Sequence, residues 1–169
     1  EYIYLLTGSR PYHNFPFFDS PTNYAQYILK KYNHNSPPID PFNIANSLGV
    51  KIITSKTQLE NEGILFKHDK NPYIILSPLI PSYKPRIKFT LAMLLGHLVI
   101  PWHLKSAFYR ESDIRSLEIE DQLSIEAREF AGALLLPPSV LRKDLKERTP
   151  GLQNFEELAY NKYGCSMLM

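Results

Sequence analysis

The stretch that most constrains the fold is FTLAMLLGHLVI, which runs from Phe89 to Ile100. Nearly every side chain in it is apolar, and Pro101 follows directly. Because proline cannot continue the hydrogen-bond ladder of a helix, we predict a helix that begins near Lys84 and ends at Ile100. A helix that is apolar around its whole circumference is typical of a buried central helix. We therefore expect the other elements to pack around it.

Two shorter helices are predicted before the central one, because each start has a capping residue followed by proline. Ser20 precedes Pro21 and Asp40 precedes Pro41, and proline suits the first turn of a helix. Apolar residues at helical spacing follow the first cap in YAQYILKKY. The second helix is expected to reach Ser47, with the next glycine as its stop.

Three strands are predicted between these helices and the central one. The segments VKIIT, GILFKHD and PYIILSP have strand character, and Lys70 and Asn71 suit a tight turn between the last two. After the central helix and a polar loop, EIEDQLSIEAREFAGALLL predicts a second long helix that packs on the first and ends at Pro137. SVLRKDLKER predicts one further helix. The expected fold class is α+β, with a small sheet of about three strands.

The two ends of the chain differ from this middle part. Residues 1–19 are rich in tyrosine, phenylalanine and proline, and we interpret them as an N-terminal extension of unknown role. Residues 20–150 are predicted to form one domain. Residues 151–169 include NFEELAYNKYGCSMLM, whose helix, glycine turn and serine cap indicate a truncated helix-turn-helix-like segment.

Composition narrows the class of protein. One cysteine excludes an internal disulfide framework, and the chain has neither a signal-peptide pattern nor a run of about 18 apolar residues. We therefore expect a cytoplasmic protein with no membrane partner. The net charge of +2 makes a nucleic-acid partner unlikely. A short basic cluster is interpreted as a solvated helix face; its members are Arg142, Lys143, Lys146 and Arg148.

Three segments carry a resemblance to a known family: PPIDPFNIANSLGVKI, MLLGH and SIEAREFAGALLLP. Together with the order of the elements, they resemble the ImmA/IrrE family of zinc metallopeptidases over roughly Ser20 to Arg148. The resemblance implies a zincin-like fold in which an active-site helix and a second long helix hold a zinc ion beside a peptide-binding cleft.

The resemblance also implies a role for four positions, and most of them carry the wrong residue. The first metal ligand falls on Met93, the general base on Leu94, the second ligand on His97 and the third ligand on Ser124. Methionine is a weak ligand for zinc, and leucine cannot transfer a proton. Since only His97 survives, we expect no zinc in this chain and an inactive site, although the family is one of zinc endopeptidases.

Two other interpretations of the histidines stay open. His97 and His103 could form a rebuilt metal site with a carboxylate from Glu120 or Glu126. Alternatively, His97 is a core histidine with a hydrogen-bond partner. The remaining histidines lie in polar or loop contexts and are expected at the surface; they are His13, His34, His68 and His103.

The function expected from the resemblance is binding of a partner polypeptide, such as a repressor-type transcription regulator, without catalysis. A peptide is expected to add to an exposed strand edge along a groove formed by Pro72, Tyr73, Ile74, Ile75 and Leu76. The segment from Glu1 to Phe18 is a second candidate occupant of this groove. The alternatives are an active zinc endopeptidase that cleaves a repressor, and a DNA-binding regulator that acts through residues 154–169.

Overall fold

The computed structural model describes residues 15–67, 71–78, 84–111, 121–146 and 152–165. In these residues the chain forms six helices and four strands, which confirms a mixed α+β fold. The helices are α1 (Pro21–Lys31), α2 (Pro41–Ser47), α3 (Lys84–Val99), α4 (Gln122–Leu135), α5 (Pro138–Lys146) and α6 (Leu152–Asn161). The strands are β1 (Lys51–Thr54), β2 (Asn61–Phe66), β3 (Tyr73–Leu76) and β4 (Ala107–Glu111).

Both predicted helix caps are confirmed. The Asn23 amide donates a hydrogen bond to Ser20 Oγ at 3.3 Å, and the Phe42 amide donates one to Asp40 Oδ1 at 3.0 Å. These acceptors satisfy amides that the first turn of a helix leaves without a helical partner. After α2, Gly49 has a φ of +73°, in the left-handed region that glycine adopts without strain. The chain can therefore turn there directly into β1.

The four strands form one sheet in the order β1-β3-β2-β4. β3 pairs in parallel with β1, and β2 pairs in antiparallel fashion with β3 and β4. The three predicted strands are confirmed. The sheet has one strand more than the roughly three that were expected, because part of the expected polar loop after the central helix forms β4.

The place of β3 in the sheet shows that strand addition at Pro72–Leu76 was a wrong prediction. Tyr73 to Leu76 are in register with β1 on one side and with residues 63–66 of β2 on the other. The Lys51 amide also donates a hydrogen bond to the Pro72 carbonyl. Because both backbone edges of β3 are used, no peptide can pair with it. Within the described residues, the outer strands of the sheet are β1 and β4.

α3 lies at the centre of the fold, as expected, and every residue from 89 to 100 is buried. β2 and β4 pack on it from the sheet side, and α2 and α4 pack on other sides. α4 packs tightly against Gly96, where a Cβ atom would lie 3.0 Å from Phe130 Cδ1. The missing side chain therefore lets the two long helices pack directly against each other.

The described end of the N-terminal extension packs on aromatic side chains. The ring centroids of Phe18 and Tyr24 are 5.0 Å apart, and those of Phe15 and Tyr27 are 5.5 Å apart. The ring of Phe17 lies 6.2 Å from Trp102, in the turn after α3. Residues 1–14 are outside the described residues, so occupation of a groove by the extension stays a prediction.

The turn that directly follows α6 is bonded to α5 through the buried carboxylate of Asp144. The Tyr163 hydroxyl donates to Asp144 Oδ2 at 2.7 Å, and Lys162 Nζ donates to Asp144 Oδ1 at 2.6 Å. The second helix of the expected helix-turn-helix would follow residue 165, outside the described residues. The basic face of α5 is exposed at Arg142, Lys143 and Lys146. Among the described helices, none is both long enough and apolar enough to cross a membrane.

Candidate functional site

The positions that the resemblance assigns to the first ligand and the catalytic base lie in the packed centre of α3. Met93 is 3% exposed, and Leu94 is fully buried at 0%. Leu94 Cδ1 lies 2.9 Å from the point that a Cβ atom would occupy at Gly63 of β2, so this side chain packs against the sheet. Both side chains contribute apolar packing, and neither can move a proton.

His97, near the C-terminal end of α3, is also buried. Its ring stacks on Phe108 of β4, with the centroids 4.1 Å apart and the ring planes 17° apart. Its Nδ1 atom lies 2.9 Å from Nδ1 of His103, which is hydrogen-bond distance. The ring is therefore held between the edge strand and the turn that follows α3.

His103 extends this site from α3 towards α4. It is 1% exposed, and its Nε2 atom lies 3.1 Å from Glu126 Oε2. The indole Nε1 of Trp102 donates to the same carboxylate oxygen, and Gln122 Nε2 donates to Glu126 Oε1 at 2.9 Å. His97, His103 and Glu126 thus form a polar line, a continuous series of polar side chains between the two long helices.

A partly buried lysine borders the same site from the sheet. Lys67 directly follows β2, and its Nζ donates a hydrogen bond to the backbone carbonyl of His103. The same atom lies 4.9 Å from the centre of the Phe108 ring. Burial lowers the pKa of Lys67 to about 7, because the ammonium form loses its water. The lysine is thus partly neutral at physiological pH.

Burial also determines the charge of the two imidazoles. Burial, with further contributions from His103 and Lys67, lowers the pKa of His97 to about 3. Burial lowers the pKa of His103 as well, against the opposing hydrogen bond to Glu126. For Glu126, burial raises the pKa, but hydrogen bonds from three neighbouring side chains outweigh it and leave the pKa lowered. Near neutral pH the site therefore holds two neutral imidazoles and one carboxylate.

Ser124, the position of the third ligand in the resemblance, lies in the first turn of α4. Its amide donates to Asp121 Oδ1 at 2.8 Å, so Asp121 caps the helix. The hydrogen bond between the side chains of Ser124 and Asp121 lowers the pKa of the aspartate. The serine hydroxyl is therefore engaged by the aspartate that caps α4.

A zinc ion, which the resemblance implies, does not fit the residues present. Zinc needs at least three protein ligands that converge on one point. Among the described residues, no group of three or more histidine, cysteine, aspartate or glutamate side chains is arranged to hold a metal. His97 and His103 face each other through their Nδ1 atoms, and Glu126 contacts the other nitrogen of His103. These three side chains form a line and do not surround a common point.

The structure corrects the prediction for His103. His103 was expected at the surface, but it is buried because the chain turns back towards α4 after Pro101. The sequence holds one signal for its pairing with His97, the spacing of six residues across a helix end. His34 is partly exposed, whereas Glu120 and two further histidines, His13 and His68, lie outside the described residues.

β4 forms the sheet edge beside this site. Phe108 points inwards onto His97, whereas Tyr109, the next residue, is 56% exposed. β4 pairs with β2 on one side, and no described strand pairs with its other side. The edge next to the polar line is therefore open within the described part of the chain.

A sequence profile of the IrrE N-terminal-like domain matches residues 45–168. The matched region begins in α2 and includes the sheet, α3 and α4, so it covers all the elements that form the site. No curated protein matches the chain.

Proposed function

The chain belongs to the family of IrrE N-terminal-like domains, and we propose that it is a non-catalytic member that binds a partner polypeptide. The observation that carries this proposal is the burial of Met93 and Leu94 in the core of α3. Leucine cannot activate water, and the one remaining ligand position, His97, cannot hold zinc alone. A site of this composition is suited to binding but not to metal-assisted hydrolysis.

The open edge of β4 is the proposed binding surface. An extended peptide that adds to a sheet edge gains affinity from backbone hydrogen bonds and needs no metal. Phe108 anchors β4 to His97 of α3, so the strand is held in place before a partner arrives. Tyr109 projects beside this edge and would contact alternate side chains of the added strand.

The proposed partner is a transcription regulator of the repressor type. This part rests on the resemblance alone, because the related peptidases act on such regulators. A protein that keeps the peptide-binding surface but not the chemistry would hold or sense the regulator, and it would not cleave it.

Metal content and hydrolysis test the non-catalytic part. The protein is purified without a chelator, its zinc is measured by elemental analysis, and hydrolysis of unfolded casein is followed with zinc supplied. We expect far less than one zinc per chain and no hydrolysis. Zinc near one per chain that is lost in His97→Ala would contradict the proposal and support the alternative, an active zinc endopeptidase.

Restoring the family's residues provides a positive control for that measurement. Met93→His, Leu94→Glu and Ser124→Glu together would supply the ligands and the base that the resemblance implies. We expect zinc to raise the thermal midpoint of the triple variant but not of the parent, because a ligand that binds only the folded state stabilises it. A folded triple variant that zinc does not stabilise would contradict the assignment of these positions.

Variants of the two outer strands test the binding surface. Arrays of unstructured peptides, including segments of repressor-type regulators, are probed with the parent protein and with Tyr109→Lys on β4. Lysine on an edge strand opposes pairing, so binding should fall in this variant. Ile53→Lys on β1 is the matched control, since Ile53 is 37% exposed on the opposite edge of the sheet. Equal losses in both variants, or a loss only in the control, would contradict binding at β4.

A further inference from the structure

The contacts that connect His97 to Glu126 through His103 define which ring nitrogens carry protons. The Glu126 carboxylate can only accept hydrogen bonds, so His103 must donate to it from Nε2. A neutral imidazole has a single N–H, and Nδ1 of His103 is therefore an acceptor. The contact of 2.9 Å between the two Nδ1 atoms then requires that His97 carries its proton on Nδ1.

The other proton arrangements conflict with the surroundings. With the proton of His103 on Nδ1, the Nε2 lone pair would face the lone pairs of the carboxylate. With protons on both nitrogens, His103 would be an imidazolium at 1% exposure, and the cost of burying a charge away from water opposes this form. The arrangement that satisfies every contact is His97 Nδ1–H to His103 Nδ1, and His103 Nε2–H to Glu126.

We propose that this line of hydrogen bonds is a metal-free tie that joins α3 to α4 where the resemblance would place a zinc ion. In the related peptidases, zinc joins a histidine of the first long helix to a carboxylate of the second. Here the same two elements are joined from His97 to Glu126 through the imidazole of His103. The proposal rests on these contacts and is independent of the proposed partner.

Neighbouring side chains hold both ends of the tie in position. Phe108 stacks on the ring of His97, which fixes the direction of its Nδ1–H. At the other end, Trp102 and Gln122 also donate to the carboxylate of Glu126, so three hydrogen bonds hold its orientation. In this role Glu126 is a positioning residue, since it selects the tautomer of His103 and, through His103, that of His97.

Nuclear magnetic resonance of the ring nitrogens tests the proposal directly. In uniformly 15N-labelled protein at about pH 7, long-range 1H–15N correlations distinguish the two neutral tautomers of each imidazole. We expect the Nδ1–H tautomer for His97 and the Nε2–H tautomer for His103. Either ring in the opposite tautomer, or a doubly protonated His103, would overturn the proposal. This measurement uses the unmodified chain and does not depend on how well a variant folds.

Two glutamates of α4 provide a matched pair of variants. Glu126→Ala removes the acceptor that selects the tautomer of His103, so the nitrogen signals of His103 and His97 should both move towards mixed tautomers. Glu129→Ala is the control, because Glu129 accepts a hydrogen bond from Thr22 and does not contact the imidazoles. If Glu126→Ala leaves both imidazoles unchanged, Glu126 does not direct the tie and the proposal fails.

A zinc titration of the same labelled protein distinguishes two cases. In one the tie contains no metal, and in the other it orients His97 as a zinc ligand. At one equivalent of zinc, we expect the ring nitrogen signals of both histidines to stay where they are. A stoichiometric shift of the His97 signals would mean that its Nε2 lone pair binds the ion, and the tie would then be the outer support of a metal site. That outcome would overturn the proposal.

Discussion

The two ends of α3 both hold buried polar side chains, but they differ in charge. Near the N-terminal end, Glu62 of β2 is 7% exposed and accepts hydrogen bonds from Arg86 Nε and Thr90 Oγ1, each at 2.7 Å. Arg110 of β4 adds a second guanidinium, whose Nε lies 4.0 Å from Glu62 Oε2. Near the C-terminal end, the two buried imidazoles of His97 and His103 are neutral, and the partly buried Lys67 lies beside them. The N-terminal end thus pairs an acidic side chain with basic ones. At the C-terminal end, burial lowers the pKa of the basic side chains.

The difference shows that desolvation outweighs the helix dipole in this protein. The last turn of a helix favours a cation by about 0.3–1 kcal/mol, or about 2 kcal/mol in the best cases. A histidine pKa that falls from 6.5 to about 3 reflects an opposing effect of a few kcal/mol. His97 is therefore neutral despite its place in the last turn of α3. The Glu62 carboxylate, in contrast, is paired directly with the cationic side chains of Arg86 and Arg110.

The largest expected effect is at the charged end. Glu62→Ala would leave the Arg86 and Arg110 guanidinium groups beside Thr90 without their shared carboxylate. Removing one partner from a fully buried ion pair costs about 3–5 kcal/mol. Because the Arg86 side chain is 37% exposed and water can solvate it, we expect a loss of about 3 kcal/mol in the free energy of unfolding. Denaturant unfolding measures it, and Glu157→Ala on the exposed face of α6 is the control. A loss no larger than that of the control would remove the contrast between the two ends.

Lys67 should give the next largest effect, because burial disfavours the charged form of this side chain. Its pKa is about 7 in the folded state against 10.5 in the unfolded state, so the unfolded chain binds more protons between these values. Stability should therefore rise with pH, by about 2 kcal/mol from about pH 7 to about pH 9.

Lysine variants isolate this contribution from other titrating groups. In Lys67→Met the rise in the free energy of unfolding should disappear, whereas Lys51→Met, at an exposed position on β1, should retain it. Denaturant unfolding at both pH values measures the difference. If the parent and Lys67→Met respond alike to pH, then Lys67 is not buried as a partly neutral amine.

Much of the framework could be predicted from local sequence signals. Ser20 and Asp40 mark helix starts because capping is a local interaction, and an apolar circumference predicts a central α3 because it needs no knowledge of its neighbours. β4 was missed because AFYRE is short and lies between charged and polar residues, so its pairing with β2 is the only strong evidence for it. The interior place of β3 likewise follows from the strand order, which local patterns do not encode.

The polar line was less predictable than the fold. The resemblance predicts a site at Met93, Leu94 and Ser124. In the structure, Met93 and Leu94 pack in the core, and Ser124 bonds to the cap of α4. His103 was assigned to the surface because loops after helices are usually exposed. Its burial depends on Glu126, which lies 23 residues away along the chain. Long-range pairing of this kind leaves no periodic signal in a single sequence.

The smallest expected effect concerns His97 and sharpens the contrast at the neutral end. The folded-state pKa of about 3 lies below the ordinary 6.5, so the unfolded state takes up a proton first as the pH falls. The stability that the neutral ring provides is present above pH 6.5 and is lost progressively as the pH falls towards 3. From about pH 7.5 to about pH 5.5, His97 should contribute about 1 kcal/mol to the loss in free energy of unfolding. His97→Gln should reduce the pH dependence by that amount, and His34→Gln, at a partly exposed position, is the control. Denaturant unfolding of the three proteins at both pH values makes the comparison. An unchanged pH dependence in His97→Gln would mean that His97 is solvated in the folded state, and the two ends of α3 would then not differ in the way that their contacts indicate.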